Sequence, residues 1–493
     1  MRVHNIRLGF ATNSSSSHSL CAWKGSGRNP LSTSLEGTEG PNYGWSWFTL
    51  ADPASKRDYL RAQYENYPGP YPYAGPEEAI ERFTRIRAAT VNALLGYAGE
   101  SESSVDHQSR WTLPVDRRSR LPDGKFLDDL RAYLERDEVV VLGRNDNEDD
   151  PSPREPGLED APVAIELEGR IGVTWARKDP ENGSWTLFNS DDGRKVRFSF
   201  GDAPAPKYAF LPELVDVSIT DFCGYGCEFC YRGSTPDGVH APLSYLRELA
   251  TRCGEAGVFE VAIGGGEPTK HPEFDRILRA FREAGVVPNF TTRNRERKWW
   301  SMTGRSLVEA YAGAVAFSID SASDLPDVLT IRDMIEGNRE RVTVQYVVGT
   351  NASEGEFRAL LEAVAETRIR LTLLGYKNSG RGRAFGERPV ARWAEIVADF
   401  VEVNRYGLDI GIDTVLADSA RDYLVERGLD SRCIAPTEGT FSAFVDAVKG
   451  RIYRSSYDEK DEGLPFDPSP RYSYRGPSAP SFADVWRAIR RTD

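Results

Sequence analysis

Apolar, β-branched runs alternate with amphipathic stretches through the middle of the chain. The strand-like runs start near residues 214, 258, 286, 314, 342 and 369, and the segments between them carry apolar residues at helical spacing. Repeated βα units form a parallel sheet that curls into a barrel or part of one. The pattern therefore predicts an α/β fold with functional residues at the carboxyl ends of the strands. The predicted helix faces are Leu243, Leu246, Leu249 and Cys253; Phe274, Ile277, Leu278 and Phe281; and Phe357, Leu360, Leu361 and Val364.

The first part of the chain, residues 1–201, follows a different pattern. Two amphipathic helices are predicted, one starting near Pro76 and one after Asp123, and strands are predicted over 3–10 and 138–142. From residue 163 to 200 short strands are separated by Asn-Gly at 182–183 and Asp-Gly at 192–193, which are typical hairpin turns. We predict an α+β accessory domain here. The helix faces are Ile80, Phe83, Ile86, Leu94 and Leu95, and Phe126, Leu127, Leu130 and Leu134.

Several polar segments of this region have two interpretations. The serine tract at 14–17 is either a flexible linker or a folded loop with a function. Three of the five histidines, His4, His18 and His107, lie in this region, together with an Asn-Asp-Asn run at 145–147. Their spacing matches no metal site, so turns and satisfied hydrogen bonds are the favoured interpretation over a second polar site.

Composition and charge narrow the function classes. The chain has 493 residues and a net charge of −13, which disfavours nucleic-acid binding through a dominant basic surface. We find no apolar run long enough to span a membrane and no apolar leader, so we expect a cytoplasmic protein with reduced thiols. The length predicts two or three domains. A Pro-rich connector at 201–206 separates the accessory domain from the predicted barrel.

A cluster of three cysteines directly follows the first predicted barrel strand. Cys223, Cys227 and Cys230 stand in the sequence CGYGCEFC, and the two glycines let the backbone curl so that the sulfurs can converge. Structural zinc takes four ligands, and no fourth Cys or His lies nearby in the sequence. Three thiolates suit an iron–sulfur cluster with one iron left open, because such clusters are usually held by four.

These residues resemble the radical S-adenosylmethionine (radical SAM) superfamily. Its members carry C-x3-C-x-aromatic-C after the first barrel strand, and the aromatic position here is Phe229. A second family motif is matched by Gly265, Gly266, Glu267 and Pro268, which stand in the sequence VAIGGGEPT. The resemblance implies a partial TIM-like (β/α)6 barrel over 210–430, one 4Fe-4S cluster on the three cysteines, and SAM as cofactor.

The resemblance also implies SAM contacts after the later strands. Family members contact the methionine part or ribose after strand four, where this chain has Ser318 and Asp320, and the adenine after strand five. After strand three the family often has Thr-Asn-Gly, whereas this chain reads Thr-Thr-Arg-Asn. The implied cofactor-binding residues are Phe229, Gly265, Gly266, Glu267, Pro268, Thr292, Ser318, Asp320, Val348 and Gly349.

Residues 431–493 resemble the C-terminal extension called SPASM or twitch in peptide-modifying members. Cys433 matches one cysteine of that pattern, but Arg-Ser-Ser-Tyr at 454–457 stands where the next cysteine belongs. One thiol cannot hold an auxiliary cluster, so we expect a single 4Fe-4S cluster per chain.

By this resemblance, the enzyme reductively cleaves SAM to a 5′-deoxyadenosyl radical that abstracts hydrogen from a substrate. The extension favours a peptide or protein side chain as substrate; a small metabolite or nucleotide is the alternative. A non-catalytic iron–sulfur or zinc module is a third interpretation. The implied electron donor is a flavodoxin or ferredoxin-like protein.

Six basic residues are predicted at the barrel mouth. They either attract an anionic ligand or electron donor or pair with local acidic residues. They are Arg293, Arg295, Arg297, Lys298, Arg381 and Arg383.

Overall fold

The chain divides into two compact units, Met1–Pro206 and Lys207–Asp493. The computed structural model describes residues 2–7, 19–22, 34–35, 42–43, 48–66, 86, 89–95, 104–105, 114–117, 121–136, 139–143, 174–191, 193–200, 203–335, 341–350, 353–388, 392–403, 410–426, 437–458, 460–468 and 481–490. Among these residues no helix has the length and apolar character needed to cross a membrane.

In the residues that the structure describes, the first unit contains three small sheets and two helices that are described from end to end. One sheet has the order β1-β10-β9-β8, a second has β2-β7-β5-β3, and a third pairs β4 with β6. The elements are β1 (Arg2–Arg7), β2 (Ser19–Ala22), β3 (Ser34–Leu35), β4 (Asn42–Tyr43), β5 (Phe48–Leu50), α1 (Pro53–Asn66), β6 (Ser104–Val105), α2 (Gly124–Leu134), β7 (Val139–Gly143), β8 (Thr174–Lys178), β9 (Trp185–Asn189) and β10 (Lys195–Ser199).

The predicted hairpins and the second predicted helix are confirmed. β8, β9 and β10 form consecutive antiparallel pairs, and Gly183 and Gly193 both have φ of 72°, as tight turns require. The carboxylate of Asp123 caps α2 by accepting from the Phe126 amide at 3.0 Å. The predicted apolar face of α2 is buried: Phe126, Leu127, Leu130 and Leu134.

The structure describes only part of the helix that was predicted to start near Pro76. Residues 86 and 89–95 are helical; Leu95 is buried, but Ile86 is 44% exposed and does not lie on the core-facing side. The predicted strand over 3–10 is described as far as Arg7, and the one over 138–142 corresponds to β7.

The second unit is built on a large, mostly parallel sheet. Its order is β17-β16-β15-β14-β13-β12-β11-β18-β19-β20. The strands are β11 (Leu214–Thr220), β12 (Glu260–Gly265), β13 (Val287–Thr292), β14 (Val315–Ile319), β15 (Val342–Val347), β16 (Arg370–Leu374), β17 (Ile410–Ile412), β18 (Ser442–Asp446), β19 (Arg451–Tyr453) and β20 (Leu464–Pro465). All six predicted barrel strands are present, and each pairs in parallel with the next.

Helices follow the strands and cover one face of this sheet. They are α3 (Leu243–Glu255), α4 (Phe274–Glu283), α5 (Arg297–Trp299), α6 (Arg305–Ala310), α7 (Leu325–Met334), α8 (Glu354–Thr367), α9 (Gly382–Phe385), α10 (Trp393–Val403), α11 (Thr414–Glu426) and α12 (Phe482–Ile489). The three predicted helix faces belong to the buried core, except that Leu243 is partly buried at its edge. Cys253 is fully buried among them, as predicted for a core residue.

Successive side chains of β11 alternate between the hydrophobic core and the barrel interior. Val215, Val217 and Ile219 are fully or almost fully buried in the hydrophobic core, whereas Asp216 and Ser218 line a cavity inside the barrel. The fold is therefore the predicted α/β partial TIM-like barrel, and its polar lumen is where a ligand can bind.

Candidate functional site

The three cysteines lie on the loop that follows β11 and line a cavity of about 360 Å³. The loop base is fixed by the Cys223 amide, which donates to the Thr235 carbonyl at 2.9 Å, and its end by the Cys230 amide, which donates to the Cys227 carbonyl at 3.2 Å. Gly226 between them has φ of 68°, a conformation that favours glycine. The local sequence thus curls the backbone and turns all three thiols toward one space.

Arg381, from the loop after β16, holds this cysteine loop in place. Its amide donates to the Cys230 carbonyl at 3.0 Å, its Nε donates to the Cys227 carbonyl at 3.0 Å, and its Nη1 donates to the Ser234 carbonyl at 2.7 Å. Its remaining nitrogen, Nη2, is buried, and no described residue forms a hydrogen bond with it. One guanidinium therefore ties the first and sixth barrel strands together beside the thiols.

The thiols interact electrostatically. Burial raises the pKa of Cys223, and the charges of Glu267 and Cys230 add to that effect while Arg381 opposes it. Burial also raises the pKa of Cys227, with Arg293 opposing and Cys230 and Cys223 adding. The charge of Cys230 thus disfavours ionisation of both Cys223 and Cys227. A cationic ligand relieves that repulsion, because thiolates are the forms that bind metal.

These residues fit a 4Fe-4S cluster. Three neighbouring thiols face a cavity, two guanidinium groups lie near them, and Arg381 Nη2 leaves a buried donor for an added acceptor. Throughout the ranges that the structure describes, no three His, Cys, Asp or Glu side chains are grouped around a single metal-ion position. A cluster needs a wider spacing of its ligands than a single ion does, because each cysteine binds a different iron of an extended inorganic core.

The end of β12 packs directly against the base of the cysteine loop. A Cβ on Gly265 would lie 2.3 Å from the Thr220 carbonyl oxygen, and one on Gly266 would lie 2.1 Å from the Phe222 carbonyl oxygen. Gly265 also has φ of 112°. At Gly264, by contrast, a Cβ would meet nothing within 4 Å, and this residue lines the cavity. Gly265 and Gly266 thus permit the close packing, and Gly264 leaves space for a ligand.

The side chain of Glu267 is buried and held by its own chain. Its Oε1 accepts from the hydroxyls of Thr269 at 2.7 Å and Thr292 at 2.6 Å, and its Oε2 accepts from the Arg293 amide at 2.9 Å. The Asn294 backbone amide donates a hydrogen bond to the Thr292 hydroxyl at 2.9 Å. This network joins the ends of β12 and β13, so it fixes the shape of the cavity wall.

Gly264 and Gly266, on either side of Gly265, support a paired prediction. Gly266→Ala forces a side chain against a backbone carbonyl, so we expect the free energy of unfolding to fall by about 1 to 3 kcal/mol. Gly264→Val places its side chain in the open cavity, so we expect unchanged stability and at least tenfold weaker SAM binding. Thermal unfolding and equilibrium dialysis with SAM measure the two effects. Equal stability losses in both variants would contradict the assignment.

The structure brings most of the other predicted cofactor-binding residues to the same cavity. Its lining includes Phe229, Gly265, Gly266, Glu267, Thr292 and Ser318. From β15 the lining residues are Gln345 and Val347, whereas Pro268 and Val348 are buried in the protein and Gly349 lies beside Tyr376 and Glu387. Their contact with SAM stays a prediction.

Asp320 lies at the cavity mouth and pairs with Arg293. The guanidinium donates to both carboxylate oxygens, at 2.6 and 2.7 Å, and lies 5.7 Å from the centre of the Phe229 ring. Two more arginines of this loop pair in the same way: Arg295 with Asp324 at 2.7 Å and Arg297 with Asp327 at 3.2 Å. The predicted basic mouth is therefore largely neutralised, by aspartates after β14. Arg381 binds carbonyls of the cysteine loop and is not part of a basic rim.

Sequence analysis did not identify a second polar wall inside the barrel. Asp216 from β11, Lys377 after β16 and Glu438 before β18 line the same cavity as the cysteines. A signal for Asp216 was present, because a carboxylate at an inward position between Val215 and Val217 is unusual in a buried strand. Nothing in the local pattern connects it with Lys377 or Glu438.

The C-terminal part of the chain belongs to the same sheet. β18 pairs in parallel with β11, and β19 and β20 continue as antiparallel strands. Asp446 at the end of β18 is fully buried and accepts from Arg232 at 2.9 Å, and Phe444 and Ser456 line the cavity. The described part of this extension thus forms cavity wall. Cys433 lies outside the described residues.

The polar segments singled out in the first unit also lie largely outside them. This applies to the serine tract, His18, His107 and the run at 145–147; for His4 only the backbone, in β1, is described. A second polar site there stays untested.

Residues 217–406 match the sequence model of the radical SAM superfamily. The barrel segment of this chain is thus a radical SAM domain, and the protein is an enzyme. The family implies a 4Fe-4S cluster and SAM.

Relatives are distant. GTP 3′,8-cyclase of Actinobacillus succinogenes is 22% identical, over 53% of this chain and 82% of that protein. GTP 3′,8-cyclase of Photorhabdus laumondii is 32% identical over only 17% of this chain and 26% of its own length. An S-adenosylmethionine-dependent nucleotide dehydratase from a Thermoplasmatales archaeon is 22% identical, over 45% and 85%. Among solved structures, Streptococcus suis SuiB bound to the precursor peptide SuiA is 15% identical with a TM-score of 0.42, covering 52% of this chain and 63% of that one.

Proposed function

We propose that this enzyme cleaves SAM at a single 4Fe-4S cluster and modifies a peptide or protein side chain held in the barrel cavity. Cys223, Cys227 and Cys230 would hold the cluster, and the wall formed by Gly264 to Glu267, together with Ser318, would hold SAM. When bound, the cluster and SAM supply the one-electron chemistry that removes a hydrogen atom from the substrate.

The protein's own residues prepare this site. Arg381 fixes the cysteine loop, and the network around Glu267 fixes the adjoining wall, so both keep their geometry when a ligand enters. The apolar side chains of Phe229, Ile263 and Val347 line the cavity and reduce its water content, which protects a reactive substrate.

The observation that carries the proposal is that all these groups share one cavity of about 360 Å³. Ligand pockets usually measure about 300 to 1,000 Å³. A cavity at the low end of that range, which also has to hold SAM, suits a single side chain better than a whole nucleotide. The names of the distant relatives favour the alternative, a nucleotide substrate.

The test is anaerobic incubation of reconstituted protein with SAM, dithionite and either a tryptic peptide mixture or a set of nucleotides. We expect formation of 5′-deoxyadenosine above a no-enzyme background, and mass-shifted peptides detected by mass spectrometry. Modified nucleotides with unchanged peptides would replace the peptide proposal by its alternative, and absence of 5′-deoxyadenosine would contradict SAM cleavage.

A further inference from the structure

Apart from Asp413, whose carboxylate accepts from the Gly375 and Leu416 amides, the inner wall of the cavity carries two carboxylates and one ammonium group that come from distant parts of the chain. Asp216 projects from the middle of β11, Lys377 follows β16, and Glu438 precedes β18. All three line the cavity that also contains the cysteines. They therefore face the space in which a substrate would lie beside the cofactor.

Glu438 has an unsatisfied acceptor at this wall. Its Oε2 atom is buried and has no hydrogen-bond partner among the residues that the structure describes. A buried polar atom without a partner costs about 1 to 3 kcal/mol, and a charged one costs more. This atom is a position where a hydrogen-bond donor supplied by a ligand would be stabilising.

The ammonium group of Lys377 contacts groups other than the two carboxylates. Its Nζ donates to Ser456 Oγ at 3.2 Å and lies 4.6 Å from the centre of the Tyr231 ring and 4.8 Å from that of Tyr457. Such rings stabilise a cation. In the part of the chain that the structure describes, Lys377 forms no ion pair with Asp216 or Glu438, so the carboxylates keep their capacity for another cation.

The other cations that line this cavity are engaged by the protein. Arg232 binds Asp446 at 2.9 Å and Asp221 at 3.0 Å, and Arg293 binds Asp320. Burial raises the pKa of Asp216 to about 7, and the nearby charge of Glu438 adds to the effect while Lys377 opposes it. The inner wall thus has an excess of carboxyl groups in a site of low dielectric constant.

We propose that Asp216 and Glu438 bind a cationic nitrogen group of the substrate, an ammonium or a guanidinium, inside the barrel. The inference rests on the proposed function, since it gives the chemical class of that reaction's substrate. A cation satisfies Glu438 Oε2 and balances the second carboxylate, because buried charges are stable only when paired. A triphosphate would instead add negative charge beside two carboxylates, with Lys377 already engaged by Ser456 and two rings.

Equilibrium binding tests this directly. The protein is the full chain with reconstituted cluster and SAM but no reductant, so that no turnover occurs. The probes are Nα-acetyl-lysine amide, Nα-acetyl-arginine amide, the neutral analogue Nα-acetyl-norleucine amide, 1,5-diaminopentane and GTP. We expect one or both cationic amides to bind at least tenfold more tightly than the neutral amide and than GTP. Tighter binding of the amides than of the diamine indicates a peptide source, and the reverse a small amine.

Three variants connect the binding to these residues. Charge-assisted hydrogen bonds contribute about 1.5 to 3 kcal/mol, so Asp216→Asn and Glu438→Gln should each weaken binding of the cationic probe tenfold or more. Lys377→Met removes a competing positive charge and should tighten it severalfold. Glu283→Gln makes the same carboxylate-to-amide change on the exposed face of α4 and should have no effect.

Iron content and thermal unfolding establish whether each variant is folded. If Asp216→Asn loses iron, Glu438→Gln and Lys377→Met decide the question. Equal affinity for the lysine and norleucine probes, or unchanged affinity in both Glu438→Gln and Lys377→Met, overturns the inference. GTP binding that is tighter than binding of the cationic probes and that depends on Lys377 also overturns the inference. The binding assay needs no SAM cleavage, so its result and the failure of the proposed reaction are distinguishable.

Discussion

Replacing any one of Cys223, Cys227 or Cys230 with alanine is expected to abolish both cluster assembly and SAM cleavage. The three thiols lie at one cavity on a loop whose backbone is fixed at both ends, and the fourth described thiol, Cys253, is buried in the core and cannot take the place of a missing one. Two thiolates leave a cluster with too few protein ligands. The measurements are iron per chain, the visible absorbance that is lost on reduction, and 5′-deoxyadenosine formed with SAM and dithionite.

Cys253→Ala is the matched control for these variants. Cys253 is fully buried on α3, and burial raises its pKa above its usual range, as expected for a core residue with no exposed thiolate. This variant should keep full iron and SAM cleavage, with a modest loss of stability from the lost packing. Iron retained near the wild-type level in any of the three loop variants would contradict their assignment as cluster ligands.

Local patterns were enough to predict the elements of the barrel. Each of the six strands is a short apolar run followed by a helix with a separate apolar face, and both periods can be read within one segment. The hairpins of the first unit were predicted for the same reason, since Asn182-Gly183 and Asp192-Gly193 specify turns by their own conformational preferences.

Contacts between distant segments could not be predicted in this way. β18 is a short strand far along the chain, yet it pairs with β11 and places Asp446 against Arg232. A resemblance to an extension motif directed attention to missing cysteines, whereas in the structure that segment supplies Phe444 and Ser456 to the cavity. Pairing partners depend on the whole fold, which local periodicity does not contain.

The charge environment of the arginines after β13 also could not be predicted from the local sequence. Arg293, Arg295 and Arg297 form a basic cluster in the sequence, but each lies beside an aspartate of the next βα unit. An exposed pair such as Arg297–Asp327 contributes about 0 to 1 kcal/mol, and together the three pairs reduce the net charge at the mouth. A run of charged residues can be assigned as a docking surface only after the residues that lie next to it in the folded protein are known.

Removing the Arg381 guanidinium is expected to cause the largest loss of cluster retention among substitutions outside the cysteines. Arg381→Met keeps much of the side-chain volume but removes the donors to the Cys227 and Ser234 carbonyls. Each lost bond to a charged donor costs about 1.5 to 3 kcal/mol, and the two carbonyls sit in the loop that positions the thiols. We expect the cluster to be released to a chelator at least tenfold faster than from the wild-type protein.

Arg383→Met removes the same charge two residues further along, at an exposed position of α9, and is the matched control. Arg381→Lys tests the geometry, because a lysine retains the charge but cannot donate from two fixed nitrogens to two carbonyls. We expect cluster release from Arg381→Lys to fall between that of Arg381→Met and wild type, and that of Arg383→Met to equal wild type. Equal release rates from Arg381→Met and Arg383→Met would show that general positive charge, and not the bonds to the cysteine loop, retains the cluster.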